Sequence, residues 1–261
     1  MFFAGIDVGS MAAKAVILHE HKIIAQEMEL TGWTPREAGR SVFDKAVKKA
    51  GINPRDIKRI IGTGYGRVSL DFIDQAVTEI TCHAIGANFW FPHNALVIDI
   101  GGQDSKAIVI DSKGKVLNFV MNDKCAAGTG RFLQVMANTL GLELGRMEEL
   151  DLAETVNINS MCTVFAESEV VSLLAAGVSK EKIVSGLYNS IVKRISSMVG
   201  SFTDYKRIIF TGGVANNKGI QSILTKVLAA PVDVPEEPQM VGALGAALIA
   251  EKAQQTKLSL T

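Results

Sequence analysis

The sequence predicts an α/β fold of two duplicated lobes, with a helical insertion in the second lobe. The first indication is an internal repeat: residues 6–18 read IDVGSMAAKAVIL and residues 98–110 read IDIGGQDSKAIVI. A second echo follows in the same order, with KRIIGTG at 58–64 and KRIIFTG at 206–212. Two echoes in the same order favour an ancestral duplication of one structural unit.

Each unit is predicted to contain three strands, a helix and a fourth strand. In the first unit, apolar runs at 2–8, 14–19 and 22–29 are separated by turn residues, which is typical of strands. A helix should begin near Pro35, because proline suits the first helical turn, and should end at Gly51. The KRII segment then supplies the fourth strand.

The second unit repeats this pattern but is longer. Its first three strands are expected at 95–100, 105–111 and 115–121. The interval between its hairpin and its last strand is about 56 residues longer than in the first unit, and we place the helical insertion at about 122–200. Three helices are expected there, at 127–140, 163–176 and 180–199. We therefore expect a first lobe at 1–94 and a second at 95–261, with the last helix packing back near the lobe interface.

The charge balance and the cysteine count exclude several functional classes. Lys plus Arg and Asp plus Glu both number 27, which argues against binding of nucleic acid or membrane surface through bulk charge. The chain begins without a signal-peptide pattern, and no apolar stretch reaches the roughly 18 residues of a membrane span. Three cysteines are too few, and odd in number, for a disulfide scaffold. These features predict a reduced, cytoplasmic protein.

The repeated Asp-x-Gly turns are candidate phosphate-binding sites. Asp7 and Asp99 each end an apolar strand and are followed by small residues, which let backbone N–H groups approach an anion. A carboxylate at each strand end can hold Mg²⁺ through water. Two such turns facing each other would clamp a phosphate chain from both sides. The alternative is a pair of ordinary hairpin turns, which the duplication disfavours.

Two glycine-rich segments near the end of the chain add to this pattern. Residues 211–217 read TGGVANN, a strand-to-helix turn typical of nucleotide contacts, although a helix-capping loop is an alternative. Residues 242–247 read GALGAA and suit close packing of the last helix at a lobe interface. The Walker A and G-x-G-x-x-G patterns are both missing, so a P-loop or Rossmann site is disfavoured.

Two of the three cysteines lie at predicted helix starts. Helix N-termini carry free N–H donors and partial positive charge, which stabilise thiolates and anionic metal–sulfur clusters. Cys125 and Cys162 are the two cysteines in such positions. Two cysteines cannot complete a four-thiolate site, but a two-fold dimer supplies four. The alternative is two ordinary buried cysteines. Cys82 is predicted to be a core residue, and His83 beside it to be structural.

Taken together, these motifs resemble those of known protein families. The Asp-x-Gly turns, the TGG turn and the GA-rich last helix resemble the actin, sugar-kinase and Hsp70 superfamily, which implies ribonuclease H-like lobes with ATP between them. The segments NDKCAAGTGRF and CTVFAESE, with GIDVGS, IDIGGQDSK and TGGVANN, further resemble the activators (component A) of 2-hydroxyacyl-CoA dehydratases. These activators belong to the BadF/BadG/BcrA/BcrD-type ATPases. The resemblance covers essentially the whole chain.

The resemblance implies a function. A homodimer would hold one bridging [4Fe–4S] cluster through Cys125 and Cys162 of each subunit. ATP hydrolysis would drive a low-potential electron into a partner 2-hydroxyacyl-CoA dehydratase, and a ferredoxin or flavodoxin would supply the electron. A benzoyl-CoA reductase-type or double-cubane-cluster partner is an alternative. Rival functions are a cluster-free small-molecule kinase of the same fold and an ATP-dependent chaperone or assembly factor.

The resemblance also assigns residues by motif. Its nucleotide-binding residues are Ser10, Met11, Ala12, Ala13, Lys14, Gly101, Gly102, Gly212, Gly213, Asn216 and Gln239. Asp7 and Asp99 would organise Mg²⁺ and water, while Gln103 and Glu167 would orient the attacking water or the metal shell. A capping carboxylate is the alternative role for Glu167. The family commonly has Thr where this chain has Met11, so only the backbone N–H is expected to contact phosphate there.

Overall fold

A computed structural model describes residues 1–150, 154–159, 162–200, 202 and 205–258. The first lobe contains β1 (Phe2–Val8), β2 (Ala12–His19), β3 (Lys22–Leu30), α1 (Pro35–Ala50), β4 (Ile57–Thr63), β5 (Gln75–Ala76) and α2 (Glu79–Trp90). The second lobe begins with β6 (Ala95–Ile100), β7 (Ser105–Ile110) and β8 (Val116–Asn122). Its inserted helices are α3 (Gly130–Leu140), α4 (Thr163–Ala175) and α5 (Lys180–Val199). The chain continues with β9 (Ile208–Thr211), α6 (Lys218–Leu228), β10 (Val232–Asp233) and α7 (Val241–Leu258).

The two sheets share one topology. The first has the strand order β3-β2-β1-β4-β5, and the second has β10-β9-β6-β7-β8. In each sheet an antiparallel hairpin is followed by a parallel crossover to the central strand, β1 with β4 and β6 with β9. The predicted fold class, two duplicated α/β lobes with helices inserted in the second, is therefore confirmed.

The local signals place most elements correctly. Pro35 opens α1, and Gly51 ends it in a left-handed conformation with its N–H bonded to the carbonyl of Lys48. The helices predicted at 163–176 and 180–199 correspond to α4 and α5. The first inserted helix begins at Gly130 rather than 127, because Gly128 adopts a φ of +86° that is incompatible with a helical turn.

The last helix crosses back to the first lobe. Side chains of α7, among them Ala243 and Ala247, join a buried cluster with Phe3 and Val16 of the first sheet. Helix α2 packs in turn against the second sheet, where Ala84 lies in a cluster with strands β6 and β7. The two helices therefore lie between the sheets and join the lobes. No helix in the described part of the chain is long and apolar enough to cross a membrane.

Candidate functional site

A cleft of about 1030 Å³ lies between the lobes and gathers most of the predicted site. The predicted residues that line it are Asp7, Ser10, Met11, Ala12, Lys14, Asp99, Gly101, Gly102, Gln103, Gly212, Gly213 and Gln239. The cleft lining does not include Ala13, which is buried in the first sheet, or Asn216, whose neighbour Asn217 lines the cleft instead. Glu167 and both helix-start cysteines also lie outside this lining.

The sequence repeat produces the same ion pair twice. In each lobe the strand register places the aspartate directly across the hairpin from the lysine, Asp7 opposite Lys14 and Asp99 opposite Lys106. The Nζ to Oδ2 distance is 3.2 Å in both pairs. The repeated motif, in which Lys follows Asp-x-Gly after four residues, therefore corresponds to an ion pair between neighbouring strands beside a turn.

Both turns close in the same way and face each other. The N–H of Gly9 donates to the carbonyl of Ala12, and the N–H of Gly101 donates to the carbonyl of Asp104, each at 3.0 Å. A Cβ on Gly102 would overlap the side chain of Met11, so the two turns approach closely across the cleft. This geometry is the one expected for clamping an anionic chain from two sides.

The carboxylate of the second lobe is held more firmly than that of the first. Thr211 Oγ1 donates to Asp99 Oδ1 at 3.0 Å, whereas the equivalent Thr63 makes no such bond to Asp7. Burial alone would raise the pKa of Asp99, but the charges of His83 and Lys106 and the bond from Thr211 outweigh it and lower the pKa to about 2. Asp99 is therefore ionised at neutral pH and is unsuited to act as a base.

Lys106 is the centre of a buried charge network. Its side chain is 2% exposed, and its Nζ lies 2.8 Å from Asp104, 2.9 Å from Glu79 and 3.2 Å from Asp99. Burial would lower the pKa of Lys106, but the three carboxylates raise it above its usual value. Lys106 therefore stays charged and is paired with three carboxylates, whereas Lys14 in the first lobe is paired with Asp7.

The glycines that follow β4 and β9 let the backbone of these segments approach Asp7 and Asp99 closely. Gly64 and Gly212 both have a φ of +85°. A Cβ on Gly64 would overlap Asp7, and one on Gly212 would overlap the carbonyl of Ile100. A Cβ on Gly213 would lie 3.1 Å from Gln239 Nε2, so the TGG turn and Gln239 meet at one wall of the cleft.

The two helix-start cysteines lie in different environments. Cys162 is exposed and occupies the N-cap of α4, where its carbonyl accepts the N–H of Ala166 at 2.9 Å. Cys125 is half-buried in the loop between β8 and α3, and its carbonyl accepts a bond from Asn122 Nδ2 at 2.9 Å. Cys82 is fully buried, as predicted, and burial raises the pKa of its thiol to about 12.

The start of α3 is bonded directly to the turn that follows β6. The N–H groups of Gly130 and Arg131 donate to the carbonyls of Gly101 and Gly102 at 2.9 and 2.8 Å. Because Cys125 lies five residues before Gly130, the turn and the cysteine loop are adjacent parts of one structure. Both segments are recognisable in the sequence, whereas this connection depends on the fold.

Glu167 connects two of the inserted helices. It accepts a hydrogen bond from Thr139 Oγ1 of α3 at 3.1 Å, and it lies beyond the first turn of α4. It therefore neither caps its helix nor reaches the cleft.

Other residues that line the cleft were not predicted as site residues, and His83 was expected to be structural. Glu79 and His83 lie one turn apart on α2, and Lys106 belongs to the repeated motif. For Lys106 the sequence did contain a signal, because Lys106 follows Asp99 at the same spacing as Lys14 follows Asp7.

Comparisons with known proteins identify the family of this chain. The model of the BadF/BadG/BcrA/BcrD ATPase family matches residues 4–250. The chain belongs to this family. It is 46% identical to the activator of lactoyl-CoA dehydratase from Anaerotignum propionicum over 98% of this chain and 100% of that protein.

Two solved structures are similar to this ATPase over nearly its whole length. The crystal structure of component A of the Acidaminococcus fermentans (R)-2-hydroxyglutaryl-CoA dehydratase has a TM-score of 0.93 and 40% identity, covering 98% of this chain and 99% of that one. The activator of the 2-hydroxyisocaproyl-CoA dehydratase from Clostridium difficile, with bound ADPNP, has a TM-score of 0.91 and 42% identity, covering 100% and 98%. The family expected from the sequence motifs is therefore confirmed.

Proposed function

We propose that this ATPase is an activator of a 2-hydroxyacyl-CoA dehydratase, a homodimer that couples ATP hydrolysis to one-electron transfer into that enzyme. The relatives named above support the choice of partner. The observation that carries the coupling is the pair of hydrogen bonds from the start of α3 to the carbonyls of Gly101 and Gly102. These bonds join the phosphate turn to the loop that contains Cys125. The electron donor would be a ferredoxin or flavodoxin in an anaerobic cytoplasm.

The cleft fits ATP and Mg²⁺. Asp7 and Asp99 are buried carboxylates at two facing strand ends, and Mg²⁺ is usually held by one or two carboxylates together with water and phosphate. Lys14 has Asp7 as its ion-pair neighbour and lines the cleft, so, unlike Lys106, it is available to phosphate. Gln103 lines the cleft beside the second turn and would orient the attacking water.

The helix-start cysteines fit half of a [4Fe–4S] site. Cys125 and Cys162 are both free thiols, and among the described residues no group of three or more His, Cys, Asp and Glu could hold a metal. Four thiolates therefore need two chains. Val164 and Phe165, beside Cys162, are 67% and 69% exposed, which suits burial against a second copy. When bound, such a cluster supplies a one-electron redox centre.

Hydrogen bonds connect the turn at Gly101 and Gly102 to the segments that contain both cysteines. The carbonyls of Gly101 and Gly102 are bonded to the start of α3, and the loop before α3 contains Cys125. The bond from Thr139 to Glu167 then joins α3 to α4, whose N-cap is Cys162. Different affinities of the two arrangements for ATP and ADP would supply the switch.

The test begins with anaerobically purified full-length protein. Four iron and four sulfide per dimer are expected, with loss of both in Cys125→Ser and Cys162→Ser. Cys82→Ser is the matched control, because this buried thiol lies in the core, and it should retain the iron. ATP-dependent reduction of a dehydratase should disappear with the iron.

Two results would overturn the proposal. Iron-free protein whose ATP turnover is stimulated by a sugar or an acid would indicate a small-molecule kinase. ATP-driven partner binding that survives both cysteine substitutions would indicate an assembly factor.

A further inference from the structure

One histidine lies between the two aspartates of the cleft. His83 is 7% exposed, and its Nδ1 lies 3.4 Å from Asp99 Oδ1 without a hydrogen-bond partner in the described structure. On the other side of the ring, Nε2 lies 3.0 Å from the position that a Cβ on Gly242 would take. Asp7 Oδ2 lies 3.0 Å from the same position, so the two atoms are at most twice that distance apart.

Helices α2 and α7, which join the lobes, are related by the duplication. A Cβ on Gly245 of α7 would overlap the carbonyl oxygen of Cys82 on α2. Reciprocally, a Cβ on Gly86 of α2 would overlap the carbonyl oxygen of Val241 on α7. Gly86 lies four residues after Cys82 in α2, and Gly245 lies four residues after Val241 in α7. The two contacts are therefore equivalent and define matching positions on the two helices.

The next position on each helix breaks this symmetry. After the contacted carbonyl, α2 has His83 and α7 has Gly242. A second imidazole in place of Gly242 would fill the space beside Asp7. Because that position has no side chain, the single imidazole of His83 lies near the carboxylates of both lobes. The two ring nitrogens of a histidine lie on different sides of the ring, so one residue can contact both.

We propose that His83 is a positioning residue of the ATPase that sets the separation of Asp7 and Asp99 across the cleft. The inference rests on the proposed hydrolysis of ATP between these aspartates. Positioning acts on the chemical step more than on binding, because small displacements of reacting groups are costly while most nucleotide contacts persist.

The experiment compares ATP hydrolysis by full-length variants. His83→Ala should lower kcat about 10- to 100-fold, while KM for ATP and the Kd for ADP change less than about threefold. His83→Gln should recover part of kcat, because its amide can still donate to one carboxylate. Gly242→Ala keeps the imidazole but places a methyl 3.0 Å from it and from Asp7, and should also lower kcat. Cys82→Ala is the matched control on the same buried helix, with kcat within about twofold of wild type.

The outcomes separate this inference from the proposed function. Wild-type protein without ATP hydrolysis would overturn the proposed function itself. Active wild-type protein with a folded His83→Ala variant of unchanged kcat would overturn only the inference, as would an equal loss in Cys82→Ala. If His83→Ala does not fold, Gly242→Ala decides: unchanged kcat there overturns the role of His83.

Discussion

The network around Lys106 leads to a prediction about stability. Replacing Lys106 by Met removes the cation but leaves the carboxylates of Asp99, Asp104 and Glu79 within a buried site. Removing one partner of a buried ion pair costs about 3–5 kcal/mol, because the remaining charge is left uncompensated. The pKa of Asp99 is lowered to about 2 against the effect of burial by His83 and, next, by Lys106, so this carboxylate loses one of its stabilising partners in the variant.

Lys14→Met is the matched control, because it removes the equivalent lysine of the first lobe. Lys14 has Asp7 as its ion-pair neighbour, and its side chain is 15% exposed. A smaller loss than in Lys106→Met is expected there, because one carboxylate and not three loses its cation. Urea unfolding followed by circular dichroism measures both losses as shifts in the free energy of unfolding. Equal losses in the two variants would refute the assignment of Lys106 as the centre of the network.

The pH dependence gives an independent check with a defined sign. Wild-type Asp99 has a lowered pKa, so its contribution to stability is complete above about pH 4 and is lost as the pH falls towards 2. In Lys106→Met, burial without the cation should raise the carboxylate pKa values above those of the unfolded chain. The folded variant then binds protons on acidification, and its deficit relative to wild type should shrink between pH 8 and pH 5.5. A deficit that stays constant over this range would contradict the argument.

Three further predictions concern packing, thiol reactivity and a hydrogen bond. Gly245→Ala places a methyl on the carbonyl of Cys82, so the free energy of unfolding should fall by about 1–3 kcal/mol, and an unchanged melting temperature would refute the close approach. In cluster-free native protein at pH 8, iodoacetamide should leave Cys82 unmodified while the other two cysteines react, as mass spectrometry of digests would reveal. Thr211→Val loses a hydrogen bond to buried Asp99 and should cost about 1–3 kcal/mol by denaturant unfolding, whereas Thr63→Val should cost less; the reverse order would be contrary evidence.

Features that depend on residues close together in the chain could be predicted before the fold was known. The repeated motif predicted the two turns, and it also contained the pairs of Asp7 with Lys14 and Asp99 with Lys106. A tight antiparallel hairpin sets which residues lie opposite each other, so spacing along the chain is enough to place these pairs. Pro35 and Gly51 marked a helix for the same reason, since capping preferences act over a few residues.

The tertiary structure decided the features that depend on packing between distant segments. Glu79 reaches Lys106 and His83 reaches Asp99 only because α2 packs against the second sheet. Glu167, expected near the nucleotide from its motif, instead bonds to Thr139 because α4 packs against α3. Nothing in the local periodicity of a helix specifies which neighbour its faces will meet. The aspartates and the phosphate turns could therefore be located from the sequence, whereas the residues that hold them across the cleft became apparent only when the helices were packed.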